Sequence, residues 1–303
     1  MTRALPLVTL LLVAAAGCAD DPAMTDSQPT GAHYQYVVDQ IDMPQTANEA
    51  NQLGLNLDRD SAGRPDNALG VVLASVIGAF PEYDLDAEAD AQIGDGTITT
   101  LFDLQTTDLS GAPDVGLELL HGRDLDSDPS DNDSGNEFFA IDPSRGSGLL
   151  TGDIINGQLD VGYGSVPVAF TFPGLGEAFV VTLDDARVVA RVDVDQITGV
   201  IGGGMSQRTI DDEFVPALQR GFDNIVARDC PDGAGSCTSD FAATLLDMFD
   251  AAPFDGRLSV DELRDSPLIS ALLSPDIDVD GDGAKDHLSV GLGFTAVSAV
   301  IQP

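Results

Sequence analysis

The stretch DIDVDGDGAKDHL, Asp276 to Leu288, places a carboxylate at every second position. Asp276, Asp278, Asp280 and Asp282 are followed by Gly283, and Asp286 stands three residues beyond. Like charges this close repel one another. Alternate positions of a tight loop, however, aim their side chains at one point. A Gly at the sixth position, Gly283 counting from Asp278, permits the sharp bend. A hard divalent cation that takes six to eight oxygens at ~2.3–2.6 Å turns the repulsion into attraction. The spacing recurs in NLDRDSAGRPDNAL, Asn56 to Leu69, as Asp58, Asp60, Ala62, Gly63 and Asp66. Asn56 and Asp276 precede their loops by two residues and can add oxygens. Calcium is the expected cofactor at both loops. Ala62 stands where an oxygen is wanted, so the N-terminal loop is the weaker. Its competing reading is an ordinary turn in which Asp66 only caps a helix.

Both loops resemble the first half of an EF-hand loop and the related loops of dockerins and thrombospondin type 3 repeats. The C-terminal loop departs from the EF-hand: its closing Glu is missing, and strand pattern rather than helix follows. The two loops also lie at opposite ends of the chain, unlike the close pair of a dockerin. A third stretch, LLDMFDAAPFDGRLSVDEL, is similar to an EF-hand in its helix–loop–helix pattern, with Gly256 sixth, Leu258 eighth and Glu262 twelfth. Its first and third positions are Ala251 and Pro253, which offer no side-chain oxygen. Asp255, Ser259 and Glu262 remain, and Ser259 with Glu262 also spells a capping box. The expectation is a framework that is kept and an ion that is lost. RDLDSDPSDNDSGNE, Arg123 to Glu137, is read as a solvated loop, with an irregular cation site as the alternative.

These loops sit in an extreme composition. The 303 residues carry 13 basic and 51 acidic side chains, a formal net charge of -38. Such a chain repels nucleic acid and anionic membrane surfaces. The N-terminus MTRALPLVTLLLVAAAGCAD has Arg3 ahead of an apolar run too short to span a bilayer. Ala15-Ala16-Gly17-Cys18 resembles a bacterial lipobox, which implies lipidation at Cys18 and a membrane partner through that anchor. Ala19 after the cysteine leans towards the outer membrane. With Cys18 set aside, Cys230 and Cys237 remain, in RDCPDGAGSCTS, and are expected to form a disulfide in an oxidising compartment.

The elements that must position these residues follow from periodicity. Leu69, Val72, Leu73, Val76, Ile77 and Phe80 predict a helix, with Asp66 or Asn67 as its N-cap. A shorter helix fits Leu85 to Ile93. Alternation then takes over: Ile98, Thr100, Phe102 and Leu104; Leu117, Leu119 and His121; Val166, Val168, Phe170 and Phe172. From Phe179 the apolar face is Val181 and Leu183, then slips by one residue to Ala186, Val188, Ala190 and Val192, which predicts a bulge or tight turn at Asp184-Asp185. Helical stripes return over Ile210 to Leu273. Leu288 to Val300 alternate again, and a lone strand needs a sheet to join.

The fold class expected is β-rich α+β: an antiparallel sandwich or barrel with a C-terminal helical, EF-hand-like insertion. The divisions are a signal peptide over 1–17, a flexible tether over 18–45, a β-rich domain over 46–205, a helical region over 206–285, and a final strand over 286–303 that returns to the sheet. No enzyme motif is complete: the three histidines lie far apart, and no glycine pattern finishes a phosphate loop or nucleophile elbow. The functional reading is a calcium-binding, lipid-anchored envelope protein with a structural or interaction role. Competing readings are a carbohydrate- or surface-binding module, and behind it a calcium-stabilised hydrolase.

Overall fold

The computed structural model describes residues 28–58, 63–80, 84–172 and 174–302. Cys18 with its lipobox, and Asp60 with Ala62, lie outside them. The strands are β1 Ala32–Asp42, β2 Thr100–Thr106, β3 Gly111–Asp124, β4 Phe138–Ile141, β5 Ser147–Ile155, β6 Gln158–Phe170, β7 Phe179–Val192, β8 Gln196–Ser206, β9 His287–Ser298 and β10 Val300–Gln302. Eight of these close into an antiparallel barrel, in the order β1-β2-β3-β5-β6-β7-β8-β9 and back to β1. Of the two expected architectures, the barrel is the one formed. Beyond the start of β5, β4 continues along the same edge of β3, and β10 pairs parallel to β4.

A barrel of eight strands is just wide enough for side chains to fill its interior. Period-two alternation supplies them. In β5, Gly148, Leu150 and Ile154 are buried while Leu149 and Ile155 face out. The one-residue slip in β7 is real: its pairing with β8 shifts between Asp184 and Arg187, and Asp185 adopts a left-handed φ of 48°. The bulge turns the apolar face of the strand back into the barrel.

The segment 32–42 departs from the expected tether, because Ala32–Asp42 is β1, a barrel strand between β2 and β9. Its signal was masked by double-sided burial. Tyr36 and Val38 join the main core, whereas Val37 joins a second cluster with Leu101, Leu120 and Phe139. Apolar residues on consecutive positions erase the alternation that marks a half-buried strand.

The first helices, α1 Ala47–Gln52, α2 Ala68–Ala79 and α3 Leu85–Gly94, fall between β1 and β2. The rest fall between β8 and β9: α4 Gln207–Thr209, α5 Val215–Asp229, α6 Asp240–Phe249, α7 Val260–Arg264 and α8 Pro267–Leu272. A π turn at Ile210–Phe214 separates α4 from α5. The apolar stripe Ile210, Phe214, Leu218, Phe222 advances four residues per turn, faster than the 3.6 of an α-helix, and the wider turn absorbs the excess. Phe222 packs on Phe241 and Phe249, Phe241 on Phe80, and Phe214 on Phe172, joining both helical groups to the barrel. No helix among the described residues is long and apolar enough to cross a membrane.

Candidate metal centre

The C-terminal acidic loop hangs between α8 and β9. Ile277 and His287 bridge at its neck, and Asp286 N donates to Ile277 O at 2.9 Å. The acids order the backbone from within. Asp278 accepts from Gly281 N at 2.8 Å through Oδ1 and from Gly283 N at 2.7 Å through Oδ2. Asp280 Oδ1 accepts from Asp282 N, and Asp282 Oδ1 from Ala284 N. Gly281 and Gly283 hold φ of 75° and 91°, a region that side chains avoid, so the bend depends on glycine. The result is convergence: Asp278, Asp280 and Asp282 each present an oxygen within 4.8 Å of the other two. This oxygen-only, carboxylate-rich set suits a hard cation such as calcium and offers nothing to a metal that wants thiolate or imidazole.

Asp286 closes the loop from the far side. Its Oδ1 accepts from Val279 N at 3.1 Å and lies 2.9 Å from His287 Nδ1. That imidazole holds the Asp286 carboxyl below the usual carboxylate range, against a smaller effect of burial. His287 Nε2 lies 3.5 Å from Asp184 at the β7 bulge, so the loop is tied to the barrel rim. Ser165 Oγ donates to the same Asp184 carboxylate at 2.6 Å.

Asp276 is engaged elsewhere. Its two oxygens accept from Ser289 N and Ser289 Oγ, both at 2.6 Å, and Lys285 Nζ donates to its backbone carbonyl. Ser289 Oγ in turn accepts from Ala68 N at the start of α2. The reason lies in the sheet. β1 ends at Asp42 opposite Gly293, which leaves the next stretch of β9 paired with β8 on one side and open on the side that β1 had covered. Asp276 takes the N–H of Ser289, and Asn67 takes both polar groups of Gly291, with Oδ1 accepting at 2.9 Å and Nδ2 donating at 3.0 Å. Two side chains thus complete the edge. Ser289, Gly291 and Gly293 leave room for this approach; a Cβ on Gly291 would collide with the Leu53 carbonyl.

The N-terminal loop meets its partner here. Asp66 Oδ2 accepts from Leu57 N at 2.9 Å and Asp58 N at 3.4 Å, and Asp66 bridges Leu55. Burial pushes its carboxyl up, its two N–H donors pull it down, and the charges of Asp58 and Asp276 add to the rise. The two loops, distant in sequence, are therefore electrostatic neighbours around the start of α2. The N-cap of α2 is Asn67, not Asp66, and its Oδ1 accepts from Gly70 N at 3.0 Å. Asn56 and Asp58 are described; Asp60 is not.

At the third stretch, Glu262 spends its carboxylate on backbone. Oε1 accepts from Ala251 N at 2.8 Å, and Oε2 accepts from Ser259 N at 2.7 Å and Ser259 Oγ at 2.8 Å. Burial raises the Glu262 carboxyl, but these donors outweigh it and hold the group low. Ser259 completes the capping box of α7. Asp255 Oδ1 accepts from Arg257 N, apart from Glu262. Cys230 and Cys237 are joined in a disulfide that closes the turn between α5 and α6. One further convergence, Asp124 with Asp126 and Glu137, lies in the acidic stretch that sequence left open between solvated loop and cation site.

No protein-family model, no curated protein and no solved structure matches the chain, so the reading of its site rests on the geometry.

Proposed function

We propose that the chain is a calcium-binding, lipid-anchored protein of the cell envelope with a structural or interaction role. The observation that carries the calcium reading is the convergence of Asp278, Asp280 and Asp282 in a loop bent at two left-handed glycines. Asp286 closes this site, and the loop of Asn56, Asp58, Asp60 and Asp66 is a weaker companion beside it. In this reading Asp240–Arg264 keeps an EF-hand-like helix–loop–helix in which the Glu262 hydrogen bonds do the ion's work. The anchor is Cys18 in Ala15-Ala16-Gly17-Cys18, with the outer membrane as its place. Calcium would clamp the 278–286 loop, and through Asp286 and His287 the clamp would stiffen β9, the strand that closes the barrel between β1 and β8.

The test is calcium calorimetry with paired melting curves in chelator and in millimolar calcium. A ligand that binds only the native state adds ~2.7 kcal/mol at a hundred times its Kd. The melting temperature should therefore rise with calcium. Asp280→Ala should abolish most of that rise, because it removes one of three convergent oxygens. Identical melting in both media, with no calcium heat, would remove the calcium reading. For the anchor, Cys18→Ser should release the protein from the membrane fraction; unchanged acylation would count against it.

A further inference from the structure

α3 packs on β1, and beside them lies a cavity of about 240 Å³. Its wall continues through the turn before β2 to the segment 129–133. The lining joins the buried side chains of Ile93 and Ile98 to three carboxylates, Asp39, Asp90 and Asp133. Among the described residues that line it, none is basic. Acids at a surface do not make a site, and Asp90 and Asp133 are exposed. The observation that points to a ligand is Asn132. It lines the same cavity, it is only 8% exposed, and its Oδ1 accepts no hydrogen bond. Its amide is turned towards the end of α3, where a Cβ on Gly96 would stand 3.7 Å from Nδ2. A buried amide oxygen without a donor pays its desolvation for nothing, so it marks a place where a donor is wanted.

The elements around it bring the same sign of charge to this space. Asp39 is the extra residue of a β-bulge: β1 pairs with β9 at Val38–Ala296 and again at Gln40–Thr295, and skips Asp39. Such a bulge re-aims a side chain. Asp39 Oδ1 accepts from Thr295 Oγ1 at 2.6 Å, which fixes the carboxylate. α3 ends at Ile93 and Gly94 on the cavity wall, and the end of a helix carries about half a negative charge. Burial first, and then charges that include that of Asp39, push the Asp90 carboxyl up. A positive donor answers all of these groups at once. A lone metal ion does not fit them. Asp39, Asp90 and Asp133 do not bring three oxygens within 4.8 Å of one another, as Asp278, Asp280 and Asp282 do. The space also exceeds the ~30 Å³ share of one water, and its isoleucines offer no ligand atom. It falls below the ~300–1,000 Å³ of drug-sized pockets, which sets the ligand as a small molecule.

We propose that this cavity binds a small aliphatic amine. Its ammonium group donates to Asn132 Oδ1 and pairs with Asp39 and Asp90, and its carbon chain lies on Ile93 and Ile98. The site is separate from both calcium loops.

The test titrates the full chain, in chelator and at physiological ionic strength, with putrescine, a four-carbon diamine. One saturable equivalent of heat is expected. 1,4-Butanediol, which has the same carbon chain and no charge, should give none. Asp90→Asn removes an exposed charge and should fold as the native chain does. It should weaken putrescine about tenfold or more, as should Asn132→Leu, which keeps the bulk and removes the acceptor. Asp261→Asn, on exposed α7, should leave affinity unchanged, because loss of one distant charge does not touch the site. Absence of saturable heat in the native chain would overturn the proposal. Equal affinity in Asp90→Asn and the native chain would also overturn it, since the amine would then only screen a charged surface. Heat from butanediol equal to that from putrescine would remove the role of charge, and displacement of putrescine by one equivalent of calcium chloride would make this a metal site; either result would overturn the amine.

Discussion

Asn67 does three jobs with one amide. It caps α2, holds both polar groups of Gly291, and donates to Ala50 O at 3.1 Å. It is 6% exposed, so none of those groups has water as a substitute. Losing an N-cap costs about 1 kcal/mol, and stranding a buried backbone group costs about 1–3 kcal/mol more. Asn67→Ala should therefore destabilise by roughly 2–4 kcal/mol in urea or thermal unfolding, in chelator as well as in calcium. Asn67→Asp keeps the acceptor and loses both donations, and should also destabilise. A change near zero in both would mean that the edge of β9 finds other partners. Asp276→Asn makes the complementary case. It should weaken the fold in either medium and leave calcium stoichiometry intact, because its oxygens serve Ser289 rather than the convergent group. A lost equivalent of calcium would instead return Asp276 to the ion. Nothing in the sequence separates Asp276 from its acidic neighbours. Only the place where β1 stops does.

At the scale of elements, what could be read depends on how many faces are buried. The slip at Asp184-Asp185 was visible because each half of β7 has one apolar face. The helix at Ala68–Ala79 was visible because its apolar residues recur at three- and four-residue steps. β1 was not, since Tyr36, Val37 and Val38 are all buried and polar, proline-bearing flanks suggest a tether. Barrel closure was equally hidden. It depends on β3 pairing with β5 along one stretch and with β4 along the next, a division that no local pattern encodes. The capping box at Ser259 and Glu262 was legible as a motif, and the reach of Glu262 back to Ala251 was not. That reach gives a prediction. Glu262→Ala should cost roughly 1–2 kcal/mol, the upper range for losing a cap, by the same amount in chelator and in calcium. A cost that appears only in calcium would restore an ion to that loop.

For the whole molecule, charge sets how stability depends on pH. With a net charge of -38, the native state crowds acids that the unfolded chain separates. Asp86 and Asp90 on α3 report this. Burial is the first cause of their raised carboxyls, and the charges of Asp42 and Asp84 add to it at both. A carboxyl raised in the folded state binds more protons there than in the unfolded chain, over the pH range between its two values. Stability then increases as pH falls through that range. Other carboxyls are held low and act in the opposite sense. Asp229, held low by Arg228, and Asp142, held low by Ser144, add stability above their unfolded values and lose it as pH falls below the ordinary carboxyl range of about 4. In chelator, the melting temperature should therefore rise as pH falls from neutral towards the ordinary carboxyl range of about 4, where the raised carboxyls take up protons, and collapse below roughly pH 3.5. Added salt should flatten the rise, because exposed charges more than a Debye length of about 8–10 Å apart are screened. Asp86→Asn with Asp90→Asn should raise melting at neutral pH and reduce the gain towards about pH 4. A melting temperature that declines steadily from neutral pH towards about pH 4, with no response to the double variant, would show that crowded carboxylates are not what limits this fold.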